Sequence, residues 1–262
     1  DLRTDRDIRP VDRFFKGWTR RAKKIFADFT ANRLERYLEN RNQPQTNDVS
    51  HMGMYLHFGQ ISPVWLALSV HRLDKSLAES KEAFLEELIV RRELAVNFVE
   101  HTPDYDRYSC IPAWAARTLE EHRDDPRPCY TPVELESAET HDPYWNAAMK
   151  EMKASGYMHN YMRMYWGKKI LEWSREPKEG FALALRLNNR YFLDGRDPNS
   201  YAGVAWVFGV HDRGWPQRPA FGKVRSMTAK GLERKCDIKG YVDKVEAICQ
   251  RGHGRADRLN VD

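Results

Sequence analysis

Cysteine is scarce in this 262-residue chain: its four copies, Cys110, Cys129, Cys236 and Cys249, stand 19, 107 and 13 residues apart, with no C-x-x-C and no matching histidine pair. That spacing speaks against a zinc site, and a chain long enough to bury a core has no need of a disulfide framework. A reducing compartment follows as the expectation, the cytoplasm, with nucleoid association if the source is bacterial. Long apolar runs are also missing, none approaching about 18 residues. The first residues, DLRTDRDIRP, are polar and charged. Neither a membrane span nor a secretory signal is expected. Strand-like alternation is rare, which removes the case for a parallel sheet. There is no G-x-x-x-x-G-K-[ST], no G-x-G-x-x-G after a strand, no H-E-x-x-H and no G-x-S-x-G, so the common nucleotide hydrolases, dinucleotide folds, zincins and hydrolase elbows lose their main support. No internal repeat or low-complexity tract is present.

What is present describes a globular protein. Hydrophobic residues make up 41% and charged residues 31%, and the mean hydropathy is -0.75, so disordered and collagen-like readings fall away. Lys and Arg number 43 against 38 Asp and Glu, a net charge of +5. The excess gathers near the start (Arg13, Lys16, Arg20, Arg21, Lys23, Lys24) and over 218–244, which permits a polyanionic partner without requiring one.

Helical periodicity dominates. Phe84, Leu88, Arg91, Ala95 and Phe98 recur at three- and four-residue steps, as do Tyr161, Met162, Tyr165, Trp166, Lys169, Ile170 and Trp173. Ser62-Pro63 and Thr131-Pro132 each place a capping hydroxyl before a proline suited to a first turn, and Glu134 completes a capping box with Thr131. Helices are predicted over 12–41, 62–74, 79–99, 112–123, 132–139, 143–174, 178–190 and 239–250. The fold class is all-α, with one long functional loop at 194–222 that is rich in glycine and proline yet holds Trp206 and Trp215.

Arg91 shares a face with apolar residues and has Glu87 one turn before it, so the periodicity reads equally as a half-buried ion pair or a solvated one, while Glu86 and Glu93 read as surface charges. Trp166 and Trp173 share a helix face, with Trp145 on the stretch before them; by spacing alone they are core residues. Met152, Met158, Met162 and Met164 read as packing, and His57, His159 and His211 as hydrogen-bonded structural residues.

Five ordered blocks, YLHFGQISP (55–63), FLEELIVRREL (84–94), YMHNYMRMYWGKKILEW (157–173), LNNRYFLDGRDPNSYAG (187–203) and GVHDRGWPQRPAFGKVRSM (209–227), resemble the class II cyclobutane pyrimidine dimer photolyases of the photolyase/cryptochrome family. The likeness covers about 50 to 250 and is to the C-terminal helical half of that family; its N-terminal α/β antenna domain has no counterpart here. Residues 1–262 are therefore expected to be a single helical FAD- and DNA-binding catalytic domain, monomeric, with no metal and no membrane partner. The resemblance implies FAD in a folded form inside the helices. Tyr37 and Ser50, with the backbone around Met52, Gly53 and Leu56, would hold its phosphates, and Arg91, Asn160, Arg163 and Asp194 would surround the ring system, with Asn188 near its reactive nitrogen. It also implies a cavity for a flipped DNA lesion walled by Arg41, Asn42, Glu87, Met164, Trp206 and Trp215, and a tryptophan chain, Trp145, Trp166 and Trp173, that reduces the flavin by light. The chain departs from the family pattern where VSHMGMYLHFG (49–59) replaces L-S-P-Y-L-H-F-G, where FKGW (15–18) replaces F-K-G-G, and in being one residue shorter between Trp206 and His211.

The reading is then a carbon–carbon lyase that repairs pyrimidine dimers by electron transfer from excited reduced FAD, with Glu87 and Asn188 at the reacting groups. A cryptochrome-like FAD photoreceptor without repair activity stands beside it, and so does a basic helical nucleic-acid-binding domain without cofactor.

Overall fold

A computed structural model describes residues 7–253, so residues 1–6 of the charged opening segment lie outside the described residues. Among the described residues there is no strand, only one isolated bridge between Arg218 and Gly222, and the all-α expectation holds. The helices run α1 Thr19–Asn32, α2 Tyr37–Asn40, α3 Gly53–His57, α4 Pro63–His71, α5 Ala78–Leu85, α6 Arg92–His101, α7 Ala113–Glu121, α8 Pro132–Ser137, α9 Pro143–Ser155, α10 Asn160–Trp173, α11 Pro177–Tyr191, α12 Pro198–Val207, α13 Ala229–Lys235 and α14 Ile238–His253. No helix among the described residues is long and apolar enough to cross a membrane.

Local chemistry sets these boundaries. Ser62 caps α4 by accepting from Trp65 N, and Thr131 and Glu134 form the capping box of α8. Asp142 opens α9 by accepting from the backbone of Tyr144 and Trp145, each at 3.0 Å. The long helix read over 143–174 is two helices: Gly156 turns left-handed at φ 70, and any Cβ there would stand 2.8 Å from Leu193. The helix read from residue 12 begins only at Thr19, after Trp18 at φ 85, and breaks again at Arg33. The stretch 194–222 is not wholly loop, because Asp197 caps Asn199 N and Pro198 takes the first turn of α12. Its glycine and proline content masked a capping signal of the same kind as those at Ser62 and Thr131.

Between α5 and α6 the backbone widens into a π-helix over Glu86–Arg91. One extra residue enters the turn, so positions after it are rotated against an ideal helix.

Two apolar cores result. The smaller gathers Phe26, Phe29, Leu34, Leu66, Phe84 and Leu88 from α1, the turn after it, α4, α5 and the π turn. The larger gathers Trp145, Met149, Met162, Trp166, Ile170, Phe181, Leu187 and Phe208 from α9 to α12. α10 and α12 press together where a Cβ on Gly167 would stand 2.6 Å from Val207 Cγ2.

Candidate functional site

The seam between the two cores opens into a cavity of about 360 Å³, within the range of small-ligand sites. The smaller core contributes Tyr37, Phe84, Leu88, Met52, Gly53 and Leu56. The larger contributes Met158, Trp166, Gly167, Ala184, Phe192, Val204 and Val207. An open trough on the solvent side of α5, lined by Ala78, Leu85, Ile89 and Val90 among lysines and glutamates, gathers no buried polar group.

Charge converges at two places on the cavity wall. Arg163 Nη2 donates to both oxygens of Asp194, at 2.9 and 3.1 Å, its Nε donates to Met158 O at 3.1 Å, and its guanidinium lies 3.9 Å from the Phe192 ring centre. Both partners are about one-fifth exposed, 21% and 20%. The Asp194 carboxylate approaches so closely that a Cβ on Gly53 would meet its Oδ2 at 3.0 Å, so glycine there leaves room for the acid. On the opposite rim Arg41 Nη2 pairs with Glu87 Oε1 at 3.0 Å, beside Asn42 and Met164. Burial first and the Glu87 charge second push the Tyr37 phenol up to about 12, keeping it a protonated donor.

Of the residues singled out by sequence, the structure gathers Tyr37, Arg41, Asn42, Ser50, Met52, Gly53 and Leu56 on one side of the cavity, and Asn160, Arg163, Met164, Trp166, Asn188 and Asp194 on the other, with Glu87 on the rim. Asn188 is buried, and its amide nitrogen donates to Asn189 Oδ1 at 2.9 Å. Arg91 is not among the lining residues. The π turn swings it outward to pair with Glu86 Oε1 at 3.2 Å, so the expected Glu87–Arg91 pair does not form and Arg92 lines the cavity instead. Trp206 and Trp215 also stand off this wall. α12 presents Gly203, Val204 and Val207 to the cavity, and Trp206 is turned from Val207 by about 100°. Trp215 is held by its indole N–H to Asp212 Oδ1 at 3.0 Å, with the Arg225 and Arg213 guanidiniums 4.8 and 5.3 Å from its ring centre.

The tryptophans form a connected series. Trp166 lines the cavity, and its indole Nε1 is buried without a partner in the protein. Trp145 Nε1 donates to Trp166 O at 3.0 Å, and the Trp145 and Trp173 ring centres lie 5.4 Å apart. Beyond Trp173 come Tyr130, at 5.2 Å, and His141, at 5.5 Å, joined by a short hydrogen bond between the Tyr130 hydroxyl and Nδ1. Trp145 and Trp173 are wholly in the larger core, so packing and series coexist.

Arg92, His51, Tyr157, Phe192 and Asp197 also line the cavity and were not read from sequence. The tandem arginines were a signal for Arg92 and the Asp-Pro pair for Asp197. Nothing in the pattern marked His51, which takes a left-handed φ of 57. Its Nε2 meets Asn47 Oδ1 at 2.7 Å and its Nδ1 is buried without a protein partner. His159 is 1% exposed and caps α10 through Nδ1, which accepts from Tyr161 N at 3.2 Å. Burial, with Lys244 next in weight, lowers its pKa to about 3.

A pH prediction follows. Unfolded His159 takes up a proton below its ordinary pKa of about 6.5 and the folded residue does not, so stability falls as pH drops from there toward 3. His159→Asn keeps a capping acceptor but does not titrate. Between pH 6.5 and 5 the parent should lose roughly 2 kcal/mol more unfolding free energy than the variant. Urea unfolding at the two pH values checks this, and equal losses would refute it.

No family model matches the chain. Deoxyribodipyrimidine photo-lyase of Methanothermobacter thermautotrophicus is 53% identical over 249 residues, 95% of this chain and 54% of that protein. The photo-lyases of Oryza sativa and Potorous tridactylus are 45% and 41% identical over 230 and 246 residues, covering 87% and 93% of this chain and 46% of each relative. The chain thus spans about half the length of the curated relatives it matches. Among solved structures, a class III photolyase from Agrobacterium tumefaciens superposes with a TM-score of 0.65 at 16% identity, covering 95% of this chain and 51% of that one. A Synechocystis cryptochrome superposes at 0.62 with 17% identity, covering 87% and 45%. At these identities the two structures speak for the helical fold alone.

Proposed function

We propose, taking as premise the photolyase/cryptochrome family that its relatives and fold support, that this chain is the FAD-binding catalytic part of a lyase that repairs cyclobutane pyrimidine dimers in DNA under light. The class II assignment rests on the ordered sequence blocks. The observation that carries the reading is one cavity combining a half-buried Arg163–Asp194 pair, an orphaned Trp166 N–H and a series of aromatic rings leading away from it. An empty helical bundle has no use for that combination, since buried polar groups are costly unless something satisfies them.

The residues fit a flavin dinucleotide. Tyr37, Ser50 and the backbone of Met52, Gly53 and Leu56 would hold its phosphates, and Asn160, Arg163, Asn188 and Asp194 its ring system, with Arg92 in the place expected of Arg91. Bound there, reduced FAD would supply light-driven one-electron chemistry for the dimer. The protein orients and shields. The apolar walls of Phe84, Leu88, Val204 and Val207 exclude water, while Arg41 holds the Glu87 carboxyl at the rim for a pyrimidine edge and Met164 gives soft contact beside it. Trp166, Trp145 and Trp173 would pass electrons inward to restore the reduced state. Trp206 and Trp215 would meet DNA outside this cavity, the latter carrying Arg213 and Arg225 toward phosphates.

An absorption spectrum of the purified protein, followed by illumination with a dimer-containing oligonucleotide, tests the reading. Flavin bands and light-dependent loss of dimers are expected. Protein without flavin would remove the whole proposal, and flavin without repair would move it to a photoreceptor.

Glu87→Gln keeps shape and one acceptor but releases Arg41, so flavin should stay bound while repair yield falls. Affinity for dimer-containing DNA should weaken by about 1–3 kcal/mol, the cost of a polar partner left unmatched. Undamaged DNA, held through phosphates, should bind as before. Titrations of both oligonucleotides at two salt concentrations decide it; unchanged discrimination would make Glu87 a structural residue.

A further inference from the structure

Behind the cavity, α14 acts on parts of the molecule far away in sequence. It packs along α9, where the buried Tyr241 hydroxyl donates to Glu151 Oε2 at 2.6 Å. One turn on, Lys244 Nζ donates to the carbonyls of Pro44 and Thr46 at 2.9 and 2.8 Å. Gln43 Nε2 adds a second tie, to Lys235 O at 3.0 Å at the end of α13. The segment so fastened, 43–52, has no regular helix or strand and carries Ser50, His51 and Met52 into the cavity wall. Lys244 itself is not among the lining residues. Two buried polar atoms of the segment, Gln45 Oε1 and His51 Nδ1, lack protein partners, as does His159 Nε2.

We propose that Lys244 is a positioning residue for the dinucleotide. It holds 43–52 in the shape that receives the phosphates, so affinity is set partly by a cation that the ligand never touches. The role rests on the FAD reading above. An irregular segment keeps one shape only if its backbone groups find fixed partners, and here one ammonium satisfies two carbonyls at once. Arg33 Nη1 holds the carbonyls of Asn47 and Val49 at 3.1 Å each, and Arg36 and Asn40 hold the Asp48 carboxylate, so without Lys244 the segment opens from its 43–46 end, and binding must then bear the cost of ordering it. A neutral side chain of similar length would fill the space and leave both carbonyls orphaned.

The test compares Lys244→Met with Lys244→Arg and with Gln43→Ala, which spares Lys244 and cuts the second tie together with the hydrogen bond that Gln43 Oε1 accepts from Gln45. FAD is titrated into flavin-free protein, and amide hydrogen exchange is followed in the same flavin-free samples. In Lys244→Met, exchange over 43–52 should speed at least tenfold while α9 and α10 keep their protection, and the Kd for FAD should rise 10- to 100-fold. Lys244→Arg should recover most of both effects. If Lys244→Met does not fold, Gln43→Ala must show the same two changes in smaller degree. Unchanged exchange over 43–52, faster exchange with unchanged FAD affinity, or a loss of protection spread over the whole chain would each overturn the role. Failure of the parent protein to take up FAD would instead overturn the functional reading on which the role rests.

Discussion

Asp194→Ala is expected to strip the flavin from an otherwise folded protein. The carboxylate does three things at once. It neutralises Arg163, whose Nη2 sits 2.9 and 3.1 Å from its oxygens; it helps keep the guanidinium over the Phe192 ring; and it fills the space over Gly53, where a Cβ would stand 3.0 Å away. Its removal leaves a cation only 21% exposed without its counter-ion in the cavity wall. Such a loss costs about 3–5 kcal/mol of stability in a fully buried pair, and partial solvent access brings it to about 2–3 kcal/mol; the cavity wall so loosened should raise the Kd for FAD on the order of 10- to 100-fold. Asp194→Asn keeps shape and one acceptor and should fall between the two. The flavin-to-protein absorbance ratio after purification, with a thermal melt to establish that the variant is folded, gives the answer. An alanine variant that retains one flavin per chain would refute the pair's role.

The second large effect separates wire from packing. Trp166→Phe keeps most of the ring volume in a well-packed core but is much harder to oxidise, and it removes an indole N–H that has no partner in the protein. Light-driven reduction of oxidised flavin should slow at least tenfold, because Trp166 is the member of the series that lines the cavity. Repair by protein reduced chemically beforehand should stay near the parent level. Stopped illumination with spectral monitoring measures the first, and a dimer-splitting assay in reductant the second. Equal loss of both activities would make Trp166 a packing residue.

How much was legible beforehand depended on the range of the signal. Capping is local, so the starts of α4 and α8 could be read from Ser62, Thr131 and Glu134. The period of α10 gave away its tryptophans, because a 3.6-residue repeat does not depend on what packs against it. The start of α12 carries the same local signal at Asp197, hidden among glycine and proline whose composition is that of a loop. The placing of Arg91 could not be read at all: a π turn differs from an α turn by one residue per turn, and no propensity records that. The pairing of Arg41 with Glu87 and the reach of Lys244 to Pro44 join positions 46 and 200 residues apart, which only the packed structure brings together. The stand of Trp206 away from the cavity wall likewise depends on how α12 is rotated against α10, and that of Trp215 on the loop that ties it to Asp212.

Arg91 closes the π turn and Arg92 follows it, and one extra residue of backbone sends the two guanidiniums to opposite sides. With the wide turn present, Arg92 faces the cavity and Arg91 pairs outward with Glu86. If one residue of the Glu86–Arg91 segment were lost and the turn tightened to an ordinary helix, only the extra residue would be gone and Arg92 would keep its inner place; lost from a turn that stayed wide, the same residue would bring Glu93 inward instead. The backbone count upstream of Arg92, and not the side chains themselves, therefore decides whether a cation or a carboxylate faces the cavity.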